Sequence, residues 1–453
     1  MKTLDEFLNK QYRTKTPAKG SAVLQKQRKK LYGNELPEGW DVVSFGQIFR
    51  LVDKKSRKVK IKDDQTYRLV TVKLYAKGIV LREIKQGSEI KTKTMYRIQE
   101  GDFIISKIDA RNGAYGFVPP ELDRAVVSGD FPIWRLKELD YVDKDFVDLY
   151  LSQPMIWELI RNFVTGSTNR KRVSPEEFMY LVRIPLPPLE EQRKIVYVLK
   201  TVQQAIEQQE KIIKTTKDLK RALMKRLFTK GLDPNQPTKM TEIGEIPEHW
   251  EVVPLGEVSN LLSGGTPSRQ HSEYWNGSIP WLKSGELNDG YIYSTEETIS
   301  DIGLKKSSAK IIPKGTLLIA LYGKGTVTKT AILGIDSAIN QAICAIIPKN
   351  NAFLPRFMQY YLIYRRPVIL KKYVRVQSDA GRTNLYLGVL RGIPVILPPI
   401  EEQKKIVEIL ETVDRKIELA QQKRKALEEL FSTLRHKLMT GQIRVSNLKI
   451  PTE

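Results

Sequence analysis

Short loops that combine lysine, arginine, asparagine and glycine recur along this chain, and side chains of these types bind phosphates and the edges of bases. In the first half of the chain the candidate residues are Lys54, Lys55, Arg57, Lys107, Arg111, Asn112, Ser167, Thr168, Asn169, Arg170, Lys171 and Arg172. In the second half they are Arg269, Tyr322, Lys324, Arg382, Thr383 and Asn384. Each loop has a second interpretation, because glycine-rich polar loops are usually solvated turns.

The net charge leaves two interpretations open. The chain carries 75 Lys and Arg against 52 Asp and Glu, a formal charge of +23. Such an excess suggests a polyanionic partner, most commonly nucleic acid, but charge alone fits a basic and otherwise inert protein about equally well. A membrane surface is less favoured, because the basic residues are spread along the chain. No apolar run approaches the roughly 18 residues that span a bilayer and the first residues lack a signal-peptide pattern, so we expect a cytoplasmic protein.

Residues for catalysis or metal binding do not occur in a usable pattern. His249, His271 and His436 lack metal-ligand spacing, and the stretch 323–330 resembles a phosphate loop but has Thr328 where glycine is required. Cys344 lies in an apolar stretch, where a small buried hydrophobe is favoured over a nucleophile. No amino-methyltransferase signature, catalytic triad or paired-carboxylate set is found. We therefore expect a binding protein without catalytic residues or a bound metal.

A repeat of the size of a domain predicts the elements that position these loops. Leu-Pro-Pro-Leu-Glu-Glu-Gln at 186–192 returns as Leu-Pro-Pro-Ile-Glu-Glu-Gln at 397–403. Leu-Pro-Glu-Gly-Trp at 36–40 returns as Ile-Pro-Glu-His-Trp at 246–250. The near-constant offset indicates a duplicated unit, and a repeat of this kind determines the architecture. Two similar modules in one chain suit two similar targets at a set distance.

A long helix is predicted after each Leu-Pro-Pro, because proline is tolerated in a first helical turn and the two following glutamates complement the helix dipole. The seam of the first helix, which polar residues interrupt at three positions, is Ile195, Leu199, Val202, Ile206, Gln209, Ile213, Thr216, Lys220, Leu223 and Leu227. The seam of the second is Ile406, Leu410, Val413, Ile417, Ala420, Arg424, Leu427, Phe431, Leu434 and Leu438. Alternating steps of four and three over about five heptads predict a coiled coil about 60 Å long. Either direction is possible on length alone; we expect antiparallel pairing, with the modules at opposite ends.

The fold class predicted from these patterns is α+β, with two similar β-rich modules and a pseudo-twofold internal repeat. The expected segments are a basic arm at 1–35, modules at 36–189 and 246–400, spacer helices at 190–230 and 401–440, a linker at 231–245 and a tail at 441–453. Similarity between the modules is thin outside their ends. This divergence is expected if one scaffold carries two different recognition surfaces on its loops.

Taken together, the duplicated Pro-Glu-x-Trp starts and the duplicated Leu-Pro-Pro-(Leu/Ile)-Glu-Glu-Gln before long helices resemble the specificity (S) subunit of type I restriction-modification systems. The resemblance covers nearly the whole chain. It implies two target recognition domains that each read one half of a bipartite DNA site, and an antiparallel coiled coil that sets the unread spacer.

The same resemblance implies partners. Two modification (methyltransferase) subunits would dock on the chain and supply S-adenosylmethionine-dependent adenine N6 methylation. A restriction subunit, a translocase and endonuclease that uses ATP and Mg, can join that assembly. No cofactor is then expected on this chain itself.

Two other interpretations stay open. A self-sufficient DNA-modifying enzyme is disfavoured by the missing catalytic signatures, and a coiled-coil scaffold without a nucleic-acid role would leave the two basic modules unexplained. We also expect the arm at 1–35 to close the repeat by packing near the C-terminal helix. Inserting four residues in one helix should change the preferred DNA spacer and leave both half-sites intact.

Overall fold

The computed structural model describes residues 36–163, 174, 178–179, 182–323, 325–377 and 382–450. The chain forms two compact units. The second unit is Gln208–Arg424, and the first holds the described residues before and after it. The boundary falls inside both long helices, so each unit contains one β-rich module and part of each long helix. The arm at 1–35, and with it the prediction about its packing, lies outside the described residues.

The helices alternate between short segments in the modules and two long ones. They are α1 (Phe45–Ile48), α2 (Lys54–Arg57), α3 (Lys144–Leu151), α4 (Pro154–Phe163), α5 (Leu189–Lys230), α6 (Leu255–Val258), α7 (Asp301–Lys305), α8 (Pro355–Lys372), α9 (Leu387–Arg391) and α10 (Ile400–Met439). α5 and α10 are the long helices that the seam residues predicted. Each ends before a glycine in the left-handed region, Gly231 with φ 69° and Gly441 with φ 70°, where a residue without a Cβ is favoured.

The two long helices run antiparallel within each unit. In the first unit the start of α5, at Ile195 and Leu199, shares one apolar core with Leu438 and Met439 at the end of α10. In the second unit the end of α5, at Leu227 and Phe228, shares a core with Ile406 and Leu410 at the start of α10. The predicted antiparallel coiled coil is therefore confirmed in both units.

The first module is built from short strands in three sheets. Its strands are β1 (Asp41–Ser44), β2 (Phe49–Leu51), β3 (Lys58–Lys60), β4 (Thr66–Val72), β5 (Ile79–Gln86), β6 (Thr94–Arg97), β7 (Asp102–Ile105), β8 (Tyr115–Phe117), β9 (Val126–Val127), β10 (Ile133–Leu136) and β11 (Arg183–Leu186). One sheet has the order β2-β10-β7-β8, a second has the order β3-β6-β9-β4-β5, and β1 pairs with β11.

The second module follows the same scheme. Its strands are β14 (Glu251–Pro254), β15 (Ser259–Ser263), β16 (Trp275–Leu282), β17 (Tyr291–Ile292), β18 (Glu297–Ile299), β19 (Ile311–Ile312), β20 (Leu317–Ala320), β21 (Thr330–Leu333), β22 (Ser337–Ile339), β23 (Ile343–Pro348), β24 (Arg375–Gln377), β25 (Arg382–Asn384) and β26 (Pro394–Leu397). The sheets have the orders β15-β23-β20-β21-β17 and β18-β16-β22-β19, with β14 on β26 and β24 on β25. The predicted α+β class with two similar modules is confirmed.

A two-stranded sheet closes each module beside its long helix. Asp41 pairs with Leu186 in the first module, and Glu251 pairs with Leu397 in the second. The segment predicted as a plain linker, 231–245, differs from expectation, because Thr238–Thr241 and Gly244–Pro247 form the hairpin β12–β13. The turn at Gly244, with φ 110°, allows this hairpin to close.

Candidate nucleic-acid interface

The same tryptophan–glutamate contact occurs once in each unit, where the module meets its long helix. Trp40 Nε1 donates a hydrogen bond to Glu191 Oε2 at 3.2 Å, and Trp250 Nε1 donates to Glu402 Oε2 at 3.1 Å. Both indoles are buried. The two duplicated motifs therefore meet each other within each unit, and the second glutamate of each pair does more than complement the helix dipole.

The glutamine that follows each glutamate fastens the long helix to the module. Gln192 accepts a hydrogen bond from the backbone N–H of Asp143 at 2.8 Å, and its amide donates to the carbonyls of Tyr141 and Pro187. Gln403 likewise accepts from Leu354 N–H at 2.8 Å. The residues that precede α3 and α8 are thus held by the same side chain in both units.

In the first module, the predicted residues Arg111 and Asn112 lie at the end of the loop that joins β7 to β8. Ala110–Asn112 form a 3-10 turn that Gly113 closes in the left-handed conformation. Arg161, from α4, donates to the carbonyl of Arg111 at 3.0 Å and to Asn112 Oδ1 at 3.4 Å. This brace holds the loop in place, while the Arg111 and Asn112 side chains stay partly accessible.

Two predicted lysines from separate stretches of sequence converge beside this loop. Lys54 Nζ donates to the carbonyl of Gly129 at 2.6 Å and lies 4.8 Å from the ring centre of Tyr96. Partial burial lowers the pKa of Lys54, and the nearby positive charge of Lys107 lowers it further. Lys54 and Lys107 thus lie close together, with the carboxylate of Asp130 nearby, and Lys55 is exposed on the same helix as Lys54, α2.

Arg57 has a different environment from the other predicted residues. Its side chain is only 13% exposed and lies 3.5 Å from the buried carboxylate of Asp102, which also accepts from Arg135 at 2.9 Å. A carboxylate removed from water requires such compensation. The geometry gives Arg57 a place in this internal ion-pair network, so its predicted DNA contact would have to be made alongside that role.

In the second module, two loops predicted separately lie against each other. Gly323 N–H donates to the carbonyl of Thr383 at 3.3 Å, and Thr383 Oγ1 donates to the carbonyl of Gly323 at 3.0 Å. Tyr322 forms a backbone bridge to Asn384 and is 37% exposed. Because the Tyr322 loop joins β20 to β21, it occupies the position that the Lys107 loop occupies in the first module.

Arg269 lies in a separate cluster of the second module. Its guanidinium carbon is 3.5 Å from the ring centre of Trp275, and Nη2 is 2.7 Å from Glu297. Arginine stacked on an indole in this way gains a cation–π interaction. Arg269 remains about half exposed (57%), so the outer edge of the guanidinium is accessible.

Several predicted residues lie outside the described residues. They are Ser167, Thr168, Asn169, Arg170, Lys171, Arg172 and Lys324. The backbone of Arg382 is described in β25, but its side chain is not. Contacts of these residues with DNA stay predictions.

Sequence reasoning missed the charged residues that brace the loops from the helices behind them. Arg366, on α8, donates to Asp289 Oδ2 at 2.8 Å, and Asp289 Oδ1 accepts from the backbone N–H of Thr330 at 3.0 Å. Burial raises the pKa of Asp289, but the hydrogen bonds from Arg366 and Thr330 outweigh it and hold the pKa below its ordinary value. No periodic pattern marks Arg161 or Arg366, because each partner is far away in the sequence.

The sequence had favoured a core role for the single cysteine, and the structure agrees. Cys344 is fully buried, and burial raises the pKa of its thiol to about 12, as expected for a small core residue and not for a nucleophile. In the described part of the chain no group of three His, Cys, Asp or Glu side chains could hold a metal ion. None of the helices described is both long and apolar enough to cross a membrane.

The fold and the loops define a chain with two β-rich binding modules, each fastened by the same contacts to an antiparallel helix pair. The family model described as "Type I restriction modification DNA specificity domain" matches residues 37–215 and 247–429, which is well over half of the chain. The chain belongs to this family, and it carries two copies of the family's DNA specificity domain.

Individual relatives agree with the family model. The chain is 28% identical over 432 residues to the specificity subunit of the type I restriction enzyme MjaVIII of Methanocaldococcus jannaschii, covering 93% of this chain and 96% of that protein. A chain from a solved type I R-M system has a TM-score of 0.58 at 19% identity, covering 90% of this chain and 100% of that one. The type I restriction-modification S subunit of M. genitalium has a TM-score of 0.51 at 17% identity, covering 89% and 96%. At these identities the two structures show a shared fold. The chain is a specificity subunit of the type I restriction-modification class, as its repeats predicted.

Proposed function

We propose that each module reads one half of a bipartite DNA site and that α5 and α10 determine the length of the unread spacer. The observation that carries this proposal is the repetition of the Trp–Glu and Gln contacts beneath loops that differ. A scaffold kept the same while its loops diverge provides two readers of different sequence. The basic side chains of both modules would contact phosphates, and a few of them would contact base edges.

The partners that fit this role are two methyltransferase subunits, with restriction subunits as further members. Each unit presents an equivalent helix start, with its glutamate and glutamine in the same contacts, so one partner type can dock twice. In this proposal S-adenosylmethionine, ATP and Mg bind to the partner subunits. This chain contributes recognition and carries out no chemical step.

The first test is a methylome. The chain is co-expressed with the methyltransferase subunit encoded beside it, and N6-methyladenine is mapped by single-molecule sequencing. A new bipartite motif that disappears when this chain is omitted is the expected result. A co-purified complex with salt-independent DNA binding and no motif would instead favour the scaffold interpretation, and methylation by the purified chain alone would favour a self-sufficient enzyme.

The spacer is tested by lengthening both long helices together. Seven residues inserted after Glu207 and seven after Arg424 preserve the seam in both helices, because one heptad is a whole repeat of the coiled coil. The insertion adds about 10 Å of helix, equivalent to roughly three base pairs. We expect a longer spacer between unchanged half-sites. Altered half-sites with an unchanged spacer would contradict the role of the helices.

The loops are tested one module at a time. Asn112→Ala removes a predicted base contact from the first module, and Asn384→Ala removes one from the second. Loss of one bidentate contact typically changes discrimination at a base pair by about 1–3 kcal/mol. Each variant should relax the motif in one half-site only. If both variants altered the same half-site, the assignment of one module to one half would be wrong.

A further inference from the structure

The turn between β4 and β5 in the first module has a backbone that its residue types disfavour. Tyr75 has φ 60° and Ala76 has φ 51°, so two consecutive residues with side chains lie in the left-handed region. That region normally favours glycine, because a Cβ there crowds the neighbouring carbonyl. A conformation of this kind persists only where the surrounding structure holds it.

The surrounding structure holds this turn through its backbone. Tyr75 N–H donates to the carbonyl of Asn112 at 2.7 Å, and Ala76 N–H donates to the carbonyl of Gly113 at 2.8 Å. The approach is close, since a Cβ added to Gly113 would lie 3.1 Å from the Cα of Tyr75. The turn is therefore fastened to the candidate loop at Arg111 and Asn112 by its backbone, so the attachment does not depend on a polar group of the Tyr75 side chain.

Those side chains combine apolar area with positive charge. Tyr75 is 54% exposed and Leu74 is 39% exposed, while Lys73 and Lys77 on either side are also exposed. The Tyr75 ring lies 6.1 Å from the ring of Trp157, edge to face, which restricts its orientation. A single exposed apolar residue needs no explanation. Two adjacent ones, on a strained and braced turn between two lysines, match a surface that contacts phosphates at its sides and bases at its centre.

We propose that the turn 73–78, hereafter the recognition turn, enters a groove of the half-site read by the first module, with Tyr75 against the bases and Lys73 and Lys77 on the flanking phosphates. This inference rests on the proposed function and adds a specificity-determining residue to it. The corresponding connection of the second module, 283–296, has a different length and composition, so the contact belongs to one half-site only.

The test uses the complete complex with methyltransferase subunits and a library of DNA sites varied in both halves. Tyr75→Ala should weaken binding of the preferred site about tenfold, within the range of about 1–3 kcal/mol for one base contact in a groove. It should also relax base preference in one half-site and leave the other unchanged. Lys73→Gln with Lys77→Gln should weaken all sites alike and reduce the salt dependence by about two phosphate contacts.

Two further variants separate recognition from folding. Tyr75→Gly removes the ring but suits the left-handed backbone, so it should lose discrimination as Tyr75→Ala does without lowering the melting temperature. Ile84→Ala, on β5 of the same hairpin and 61% exposed, is the matched control and should leave binding and motif unchanged.

The outcomes distinguish this inference from the function it rests on. If the unaltered complex yields a bipartite motif but Tyr75→Ala and Tyr75→Gly match Ile84→Ala in affinity and motif, the recognition turn is wrong and the proposed function stands. If relaxation appears in both half-sites, the turn is also wrong as a reader of one half. If the unaltered complex has no motif at all, the proposed function fails first.

Discussion

The two modules share a plan of strands that their sequences conceal. In the first module β4 pairs parallel with β9 and antiparallel with β5, and in the second β16 pairs parallel with β22 and antiparallel with β18. The sheets differ by one edge strand, β3, which has no counterpart in the second module's sheet as described. Duplication has therefore preserved the pairing of strands where it has not preserved the residues, because many apolar residues can occupy a sheet but few topologies satisfy its backbone.

The modules differ most at one edge, in the connection that joins β4 to β5 in the first module and β16 to β18 in the second. It is the short turn 73–78 in the first module, whereas in the second it is the segment 283–296, which contributes β17 to the other sheet. Both connections pack on the equivalent hairpin of the other sheet: Tyr75 N–H donates to the carbonyl of Asn112, in the loop from β7 to β8, and Asp289 N–H donates to the carbonyl of Thr330, the first residue of β21. The two modules therefore place this connection at the same position in the fold but build it from different residues.

A second difference lies where each module meets its helix. Asp145 of the first module forms an ion pair with Lys200 of α5, and Arg356 of the second forms one with Glu411 of α10. These positions correspond in the repeat, and the sign of the pair is reversed. Both units therefore have an attractive ion pair here, but the module supplies the negative charge in the first unit and the positive charge in the second.

The largest expected effect concerns the tryptophan contact that both modules share. Trp40→Ala and Trp250→Ala each remove a buried indole, so each should lower the free energy of unfolding by about 3–5 kcal/mol. Urea denaturation followed by circular dichroism measures both. Trp275→Ala, at a partly exposed indole, is the control and should cost less. Unequal losses at Trp40 and Trp250 would show that the two units share the geometry of this contact but not its contribution to the free energy of unfolding.

The glutamine contact should show the next largest effect. Gln192→Leu and Gln403→Leu leave buried backbone groups without partners, which typically costs about 1–3 kcal/mol per group. Gln204→Leu, on the exposed face of α5, provides the matched control and should be nearly neutral. The melting temperatures of the three variants test this prediction. A fall in melting temperature for Gln204→Leu equal to that of the other two would show that unpaired backbone groups are not the cause.

The reversed ion pairs are compared by double-mutant cycles. Arg356 is 14% exposed, whereas Lys200 and Asp145 are 54% and 45% exposed. Exposed pairs typically contribute about 0.2–1 kcal/mol. We expect the coupling of Arg356 with Glu411 to exceed that of Asp145 with Lys200, and high salt to weaken the latter more. Equal coupling energies would contradict the ranking by exposure.

The smallest expected effect is a dependence on pH in the first module. Burial raises the pKa of Glu191, but hydrogen bonds from Arg444 and Trp40 outweigh it, so the pKa lies below the ordinary value of 4.5. A lowered carboxylate pKa stabilises the fold above the ordinary value and loses that contribution as the pH falls through the folded-state pKa. The difference in melting temperature between the wild type and Glu191→Gln should be largest near neutral pH and should shrink in acid. A difference that does not change with pH would contradict this assignment.

Much of the architecture could be predicted from the sequence because it is encoded locally. The seam positions follow one another along a single helix, and each Leu-Pro-Pro lies next to the helix start that it predicts. The contact of Trp40 with Glu191 could not be predicted in this way, since it joins residues 151 positions apart. The duplicated motifs contain both the tryptophan and the glutamate, but the sequence does not show that these two side chains are in contact.

The candidate surface was predicted less completely. Charge and glycine identified the loops at Arg111 and Tyr322, but residue type alone could not show that Arg57 faces the buried Asp102. The recognition turn has no marker in the sequence, because its conformation is imposed on Tyr75 and Ala76 by another loop. Such features depend on tertiary contacts and not on the residues that display them.

The placement of the last helical turns has a consequence for synthesis. Leu438 and Met439 are buried in the core of the first module, where Arg444 also binds Glu191, and a Cβ on Gly441 would collide with Pro37. The second unit, in contrast, is one continuous stretch of chain. During translation the second unit has all its residues first, and the older module waits on the order of tens of seconds for the final segment that completes it. We therefore expect the first unit to complete its core after the second unit, and a chain cut before Leu438 to lose stability in its first module.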